Sequence, residues 1–220
     1  MSAAEGRRDV PPSSKADYVY ETLLDDLRNA RIPGGTPLRA AAVAERLGVS
    51  ITPVREALRR LENDSLITYE RHHGATVIDL SDDALAEYYS VRAVVEGLGA
   101  RLAASRITAG QLASLWALHE EMVAHERAGQ NEALGEKSRK LHLAIADIGG
   151  PAFLGRHARA VRNNFPVPAD ASLWLDADHA RHHLTVHEQI LRALQAGDGA
   201  TAERIMIDHV EASGRYRLKR

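Results

Sequence analysis

The chain has 220 residues, 45% of them apolar, with 28 Lys and Arg set against 30 Asp and Glu and no cysteine. That length suits one large domain or two small ones, and the missing cysteine excludes disulfides, thiolate zinc knuckles, iron–sulfur clusters and a cysteine nucleophile. A net charge of −2 argues against coating of nucleic acid by bulk charge and leaves room for a local basic face. No run approaches the about 18 apolar residues of a membrane span, and Met1 to Ser14 lacks a secretory leader, so a soluble, cytoplasmic protein without membrane association is expected.

Residues 1–14 are polar, interrupted by Pro11 and Pro12, and predict a mobile arm. From Lys15, Val19, Leu23 and Leu27 recur every fourth residue with Tyr20 and Leu24 beside them, the stripe of an amphipathic helix. Pro33-Gly34-Gly35-Thr36-Pro37 stops it. Ala40 to Leu47 repeats the signal through Val43 and Leu47, and Gly48 stands where a left-handed cap is wanted. After Val49, Ser50 or Thr52 can cap another helix, Pro53 suits its first turn, and Val54, Leu58 and Leu61 form its buried stripe. Leu66 to Tyr69 and Thr76 to Ile78 read as the strands of a hairpin around Arg71, His72, His73 and Gly74. Leu80 to Asp83 reads as a linker, with Ser81 able to cap the next helix. Beyond it every stretch has helical period: Ala84 to Ala104, Thr108 to Ala128, Glu132 to Asp147, Pro151 to Asn163, Ala177 to Ala196 and Ala200 to Arg217. No strand candidate comes after Ile78, and no repeat of fixed period is present.

Helix, turn, helix and hairpin in this order describe a winged helix-turn-helix, whose second helix enters the major groove. The expected fold is mainly α: this DNA-binding domain over 15–79, a linker at 80–83, and an all-α antiparallel bundle over 84–220. Between Arg39 and Arg60 stand five Arg (39, 46, 55, 59, 60) and two Glu (45, 56), a positive surplus in a chain that is negative overall. Arginine forks pair with guanine O6 and N7, whereas Ser and Thr hydroxyls at a helix N-terminus suit phosphate oxygens. Ser50, Thr52 and Arg55 occupy such a turn, and Arg59 lies one turn beyond.

The run Leu47-Gly48-Val49-Ser50-Ile51-Thr52-Pro53-Val54-Arg55-Glu56-Ala57-Leu58-Arg59-Arg60-Leu61-Glu62 resembles the recognition segment of the GntR superfamily of bacterial transcriptional regulators, and Arg71 to Val77 is similar to their wing. The likeness spans roughly Tyr18 to Val77. It implies operator contacts from Arg39, Ser50, Thr52 and Arg55, and from His73 with Gly74 at the wing tip. Ile51 departs from it, standing where the family usually carries Arg or another polar residue. Ser65 replaces the usual Gly before the first wing strand.

Nine of the eleven histidines lie after residue 80. The flanks of His142, His187 and His209, together with Val91 to Glu96, resemble the FCD effector domain of the FadR-type branch, over about Ala84 to Gly214. That resemblance implies one divalent metal per subunit, held by three His and an Asp beneath a pocket for a small carboxylate. Three imidazoles on separate helices suit Zn²⁺ or Ni²⁺. The expected Asp, four residues before His142, is Ser138 here, which leaves three readings open: a three-His metal site completed by water or effector, a site that recruits another acid, or a metal-free site whose imidazoles bind the effector directly; His183 with His187 forms a competing i, i+4 pair. For the effector carboxylate Arg92 is the first candidate, with Arg139 and Arg156 after it; Arg92 can equally pair with Glu96 along its own helix. Trp116 and Trp174 read as packing residues, with pocket lining as the alternative for Trp174, and the basic end Arg215 to Arg220 reads as a complement to a helix dipole.

These features describe a homodimeric regulator, expected to be a repressor, that binds double-stranded operator DNA and answers to a small organic acid. The alternatives are a dedicated metal sensor and a three-His zinc hydrolase. No phosphate loop, nucleophile elbow or zinc-protease helix motif supports an enzyme.

Overall fold

The computed structural model describes residues 14–28, 31–70, 74–78, 81–163 and 173–219. The N-terminal arm expected over 1–14 lies outside them except for Ser14, as do Arg71, His72 and His73 of the wing tip. The chain divides into two compact units, Met1–Ile78 and Asp79–Arg220.

In the first unit, α1 (Lys15–Arg28), α2 (Ala40–Leu47) and α3 (Ile51–Asn63) pack beside the strands β1 (Pro37–Leu38), β2 (Ile67–Glu70) and β3 (Gly74–Val77). The stripes read from the sequence supply the core: Val19, Leu23 and Leu27 of α1 meet Val43 of α2 and Val54, Leu58 and Leu61 of α3, with Leu66, Ile67, Ala75 and Val77 below them. Burial of each large aliphatic side chain stabilises by about 1.5–3 kcal/mol, which is what holds three short helices together. Gly48 ends α2 with φ 64°, and its N–H reaches back to the Ala44 and Glu45 carbonyls. That left-handed residue lets α3 start almost at once. Ser50 precedes α3 in extended backbone, but its side chain accepts no capping hydrogen bond, which corrects the capping role expected of it.

The sheet is antiparallel in the order β1-β3-β2, with Pro37 opposite Thr76 and Glu70 opposite Gly74. In the sequence Pro37 and Leu38 are legible only as a helix stop, because two residues carry no period. They form an edge strand, where a proline without an N–H is tolerated. The hairpin strands are also displaced from the expected ones. The Leu66 N–H is spent on the Leu61 carbonyl, so pairing starts at Ile67. Ser65, between them, has φ 56°, the left-handed conformation that a glycine adopts without strain.

The second unit comprises α4 (Asp82–Ala104), α5 (Ala109–Arg127), α6 (Leu134–Gly149), α7 (Leu154–Asn163), α8 (Ala177–Gln195) and α9 (Gly199–Arg217), with 3-10 turns at Asn131–Ala133 and Leu173–Leu175. Ser81 caps α4 by accepting from the Ala84 N–H, and Thr108 with Gln111 forms a capping box on α5. α4 begins inside the expected linker. α7 begins at Leu154 rather than Pro151, because Pro151 to Phe153 form a turn.

α4 is the central helix, packed by α6, α7, α8 and α9. Its buried face carries polar residues as well as small ones: Tyr89, Arg92, Ala93, Glu96, Gly97, Ala100 and Ala103. A Cβ at Gly214 of α9 would lie 2.7 Å from the Tyr89 ring, so glycine there allows the close approach of α9 to α4. Among the described residues no helix is long and apolar enough to cross a membrane.

Candidate functional site

Two sets of side chains carry chemistry, one in each unit. In the first, α3 buries Val54, Ala57, Leu58 and Leu61 and turns Ile51, Thr52, Arg55, Glu56 and Arg59 to solvent. Ser50 is exposed just before it, and Arg39 is exposed immediately before α2. The five arginines of this region divide into two kinds. Arg46 pairs with Asp26 at 2.7 Å, and Arg60 pairs with Asp17 at 2.6 Å while its guanidinium lies 4.1 Å above the Tyr20 ring. Those two hold the helices to one another. Arg39, Arg55 and Arg59 make no ion pair with a described residue and present their forks outward. Gly74 opens β3 with φ 80°, and its expected partner His73 lies outside the described residues.

In the second unit, α6, α8 and α9 bring His142, His187 and His209 together in the interior, with one ring nitrogen of each within 4.8 Å of the others. His142 Nε2 is 3.1 Å from His187 Nε2, which is 3.2 Å from His209 Nε2. His183, the competing partner, is also buried, one turn before His187, with its ring 4.5 Å from that of His209. Ser138 is buried on α6 one turn before His142, a hydroxyl where the resemblance expects a carboxylate.

A carboxylate is nevertheless present, on α4. Glu96 is 2% exposed and accepts two hydrogen bonds from Arg162 of α7, each 2.7 Å, and one from Arg92 at 2.9 Å. Its Oε2 stands 2.6 Å from His142 Nδ1. Burial works against the charge on Glu96, yet Arg162 and Arg92 outweigh it and hold the carboxyl well below the usual range. The ionised carboxylate can only accept, so His142 Nδ1 donates to it.

Burial, with Arg162 adding to it, pushes His142 down to about 4, and burial pushes His183 down to about 3. His187 and His209 are also held well below the ordinary histidine range, first by burial and then by neighbouring imidazoles. The neutral His142, protonated on Nδ1, therefore points a bare Nε2 at His187. One proton on His187 Nε2 satisfies only one of its two nitrogen contacts at a time, whereas a cation satisfies all three lone pairs together. His187 Nδ1 is buried without a partner, so nothing in the described structure fixes that ring's tautomer. The donor set thus fits a borderline ion, and the Glu96–His142 contact is the outer-shell carboxylate common behind such ligands.

The same burial has a consequence for pH. In metal-free protein these histidines have lower pKa values folded than unfolded, so below about 6.5 the unfolded chain binds the additional protons. Their contribution is complete above pH 6.5 and declines by about 1.4 kcal/mol per pH unit for each histidine as pH falls toward the folded values. The urea midpoint of the helical unit is expected to drop between pH 6.5 and about 4; a constant midpoint over that interval contradicts the burial of neutral imidazoles.

Among the expected effector residues, Arg92 is tied to Glu96, the intrahelical alternative, and lies over Tyr88 and Tyr89. Arg139 is half-buried and donates to the Arg162 carbonyl at 3.3 Å. Arg156 is exposed on α7. Arg162 joins the site although nothing in its local sequence pattern marks it. The sequence suggests a solvated helix end for Arg217, but this side chain turns inward beside Tyr89. Trp174 is buried, with its ring 5.5 Å from His183 and 6.2 Å from His187, whereas Trp116 is half-buried.

Comparison with known proteins agrees with both halves. Residues 15–77 match the family described as bacterial regulatory proteins, gntR family, and residues 87–212 match the FCD domain. The "Probable D-xylose utilization operon transcriptional repressor" of Paenarthrobacter nicotinovorans is 30% identical over 198 residues, 90% of this chain and 86% of that protein. The HTH-type transcriptional repressor RspR of Escherichia coli is 31% identical over 207 residues, 91% of this chain and 88% of its own. Among solved structures, E. coli McbR/YncC superposes with a TM-score of 0.78 at 24% identity, covering 94% of this chain and 98% of that one. A GntR regulator from Rhodococcus sp. RHA1 gives 0.70 at 23% identity, covering 94% and 99%. Two domains in this order set the hydrolase reading aside: the chain belongs to the GntR family of bacterial transcriptional regulators, in the FadR-type branch that joins a DNA-binding helix-turn-helix domain to an FCD effector domain.

Proposed function

We propose that the protein is a cytoplasmic, homodimeric repressor whose residues 15–79 bind a two-fold operator and whose residues 84–220 bind a small carboxylate that releases it. Arg55 and Arg59 would read base edges, while Arg39, Ser50, Thr52, His73 and Gly74 would anchor phosphates. The observation that carries the effector half is the convergence of three buried neutral imidazoles on three helices. His142, His187 and His209 would hold one Zn²⁺ or Ni²⁺, which when bound offers a Lewis-acidic position for a carboxylate oxygen. Glu96 holds the proton on His142 Nδ1 and keeps its Nε2 aimed inward.

The test is an operator-binding assay on protein stripped of metal and then reloaded, with and without small carboxylates, beside metal analysis of His187→Ala. The proposal expects about one ion per wild-type chain, none in the variant, and operator release only when carboxylate is added to loaded protein. If metal alone changes operator affinity, the dedicated metal-sensor reading replaces it. Such control requires only a difference of about 1–3 kcal/mol in ligand affinity between DNA-competent and DNA-incompetent states.

Ile51 supplies a second test. It is 42% exposed at the first residue of α3, an apolar side chain where a cation can reach phosphate. Ile51→Arg is expected to raise DNA affinity several-fold and to steepen the salt dependence by about one released counterion per subunit, measured by titrations at several salt concentrations. An unchanged slope would place this residue away from the duplex.

A further inference from the structure

Among the described residues, the interior of the helical unit holds one buried carboxylate, Glu96, beside the guanidiniums of Arg92, Arg162 and Arg217. Arg92 and Arg162 are spent on Glu96, and Tyr89 feels the charges of Arg217, Arg92 and Arg162 together. Arg217 is the last residue of α9, and its Nε and Nη1 are buried without a hydrogen-bond partner among the described residues. The Tyr89 hydroxyl is its polar neighbour, kept in place by the close approach at Gly214. His183 Nε2 is likewise buried without a partner among the described residues, and burial with the neighbouring imidazoles, and least of all the Arg217 charge, holds that imidazole low. The His183 ring is in turn 4.5 Å from the His209 ring of the three-histidine site.

A half-buried guanidinium with two buried nitrogens lacking partners is costly, and the natural counterpart for its planar fork is an anionic oxygen pair. We propose that Arg217, with His183 and Tyr89, forms an anion subsite beside the three histidines, so that the effector is a small dianion. One carboxylate would meet the three-histidine site and a second acidic group, carboxylate or phosphate, would meet Arg217. This rests on the reading of the helical unit as the effector domain, and it narrows the effector from organic acids in general to those with two acidic ends.

Calorimetric titration of the full chain with propionate, succinate, glutarate and phosphoglycolate tests it, on wild type, Arg217→Met and Arg217→Gln. At least one dianion is expected to bind about tenfold or more tightly than propionate, the value of one charge-assisted pair. Comparing the dicarboxylates with phosphoglycolate identifies the second group. Both variants are expected to lose that advantage while propionate affinity stays within about threefold. Removing the unpaired charge is also expected to raise the Tm of ligand-free Arg217→Met by about 2–4 °C while abolishing stabilisation by dianions. Equal binding of mono- and dianions by wild type, no dianion binding at all, or an equal loss of both ligands in the variants overturns the proposal. Repeating the titrations after metal removal separates the two readings: dependence on Arg217 persists there even if the three histidines hold no ion.

Discussion

Arg55→Ala is expected to weaken binding to the operator by about 10- to 100-fold per site while leaving the Tm unchanged. The residue is exposed on the outward face of α3, makes no ion pair with a described residue, and lies one turn beyond Ile51 and Thr52. A guanidinium that pairs with a guanine edge contributes about 1–3 kcal/mol of discrimination, and truncation of an exposed side chain costs the fold within about 0.5 kcal/mol. The measurement is anisotropy of labelled operator and scrambled duplex at fixed salt. Specific and nonspecific affinities should converge in the variant. Arg46 and Arg60 serve as controls, because each is held by an aspartate of α1: Arg46→Ala and Arg60→Ala should lower the Tm and largely retain preference for the operator. Retained preference in Arg55→Ala removes α3 from the groove and with it the operator-reading role proposed for that helix.

Glu96→Gln is expected to be the most damaging single change in the helical unit. It removes the negative charge shared by Arg92, Arg162 and His142 and leaves two buried guanidiniums without a counter-charge among the described residues. Breaking a buried ion pair from one side costs about 3–5 kcal/mol, which corresponds to a fall of about 10 °C in the Tm of a unit of this size. The amide also no longer holds the proton on His142 Nδ1 against a full charge, so affinity for a divalent ion should fall by about 10- to 100-fold. Scanning calorimetry and metal titration check the two effects separately. Glu96→Gln combined with Arg162→Gln should recover part of the lost stability, since fewer cations then remain unpaired. A Tm within about 2 °C of wild type would show that solvent, rather than Glu96, balances these arginines.

The helices are legible in the sequence because their buried stripes are regular. Val19, Leu23 and Leu27, or Val54, Leu58 and Leu61, can be read without a structure since each stripe meets a single core. β1 is not legible: Pro37 and Leu38 have no pattern of their own and become a strand only because β3 offers an edge. The histidines can be named through resemblance, but their supports cannot. Glu96 and Arg162 are ordinary charged residues of helical segments, 66 positions apart, and only packing makes them partners. Arg217 escapes a sequence reading for the related reason that a solvated basic helix end and a half-buried arginine look alike until the opposite face is known. Arg92 has two readings in the sequence, and the intrahelical pair with Glu96 is the one formed.

Arg60 has a further consequence. Because α3 is gripped by Asp17 and Tyr20, the angle at which this helix is presented is set by a scaffold residue well away from its outward face. Drift at Asp17 or Tyr20 would tilt the helix proposed to read the operator while leaving every letter of the α3 sequence intact. Two relatives with identical α3 segments can therefore prefer different operators.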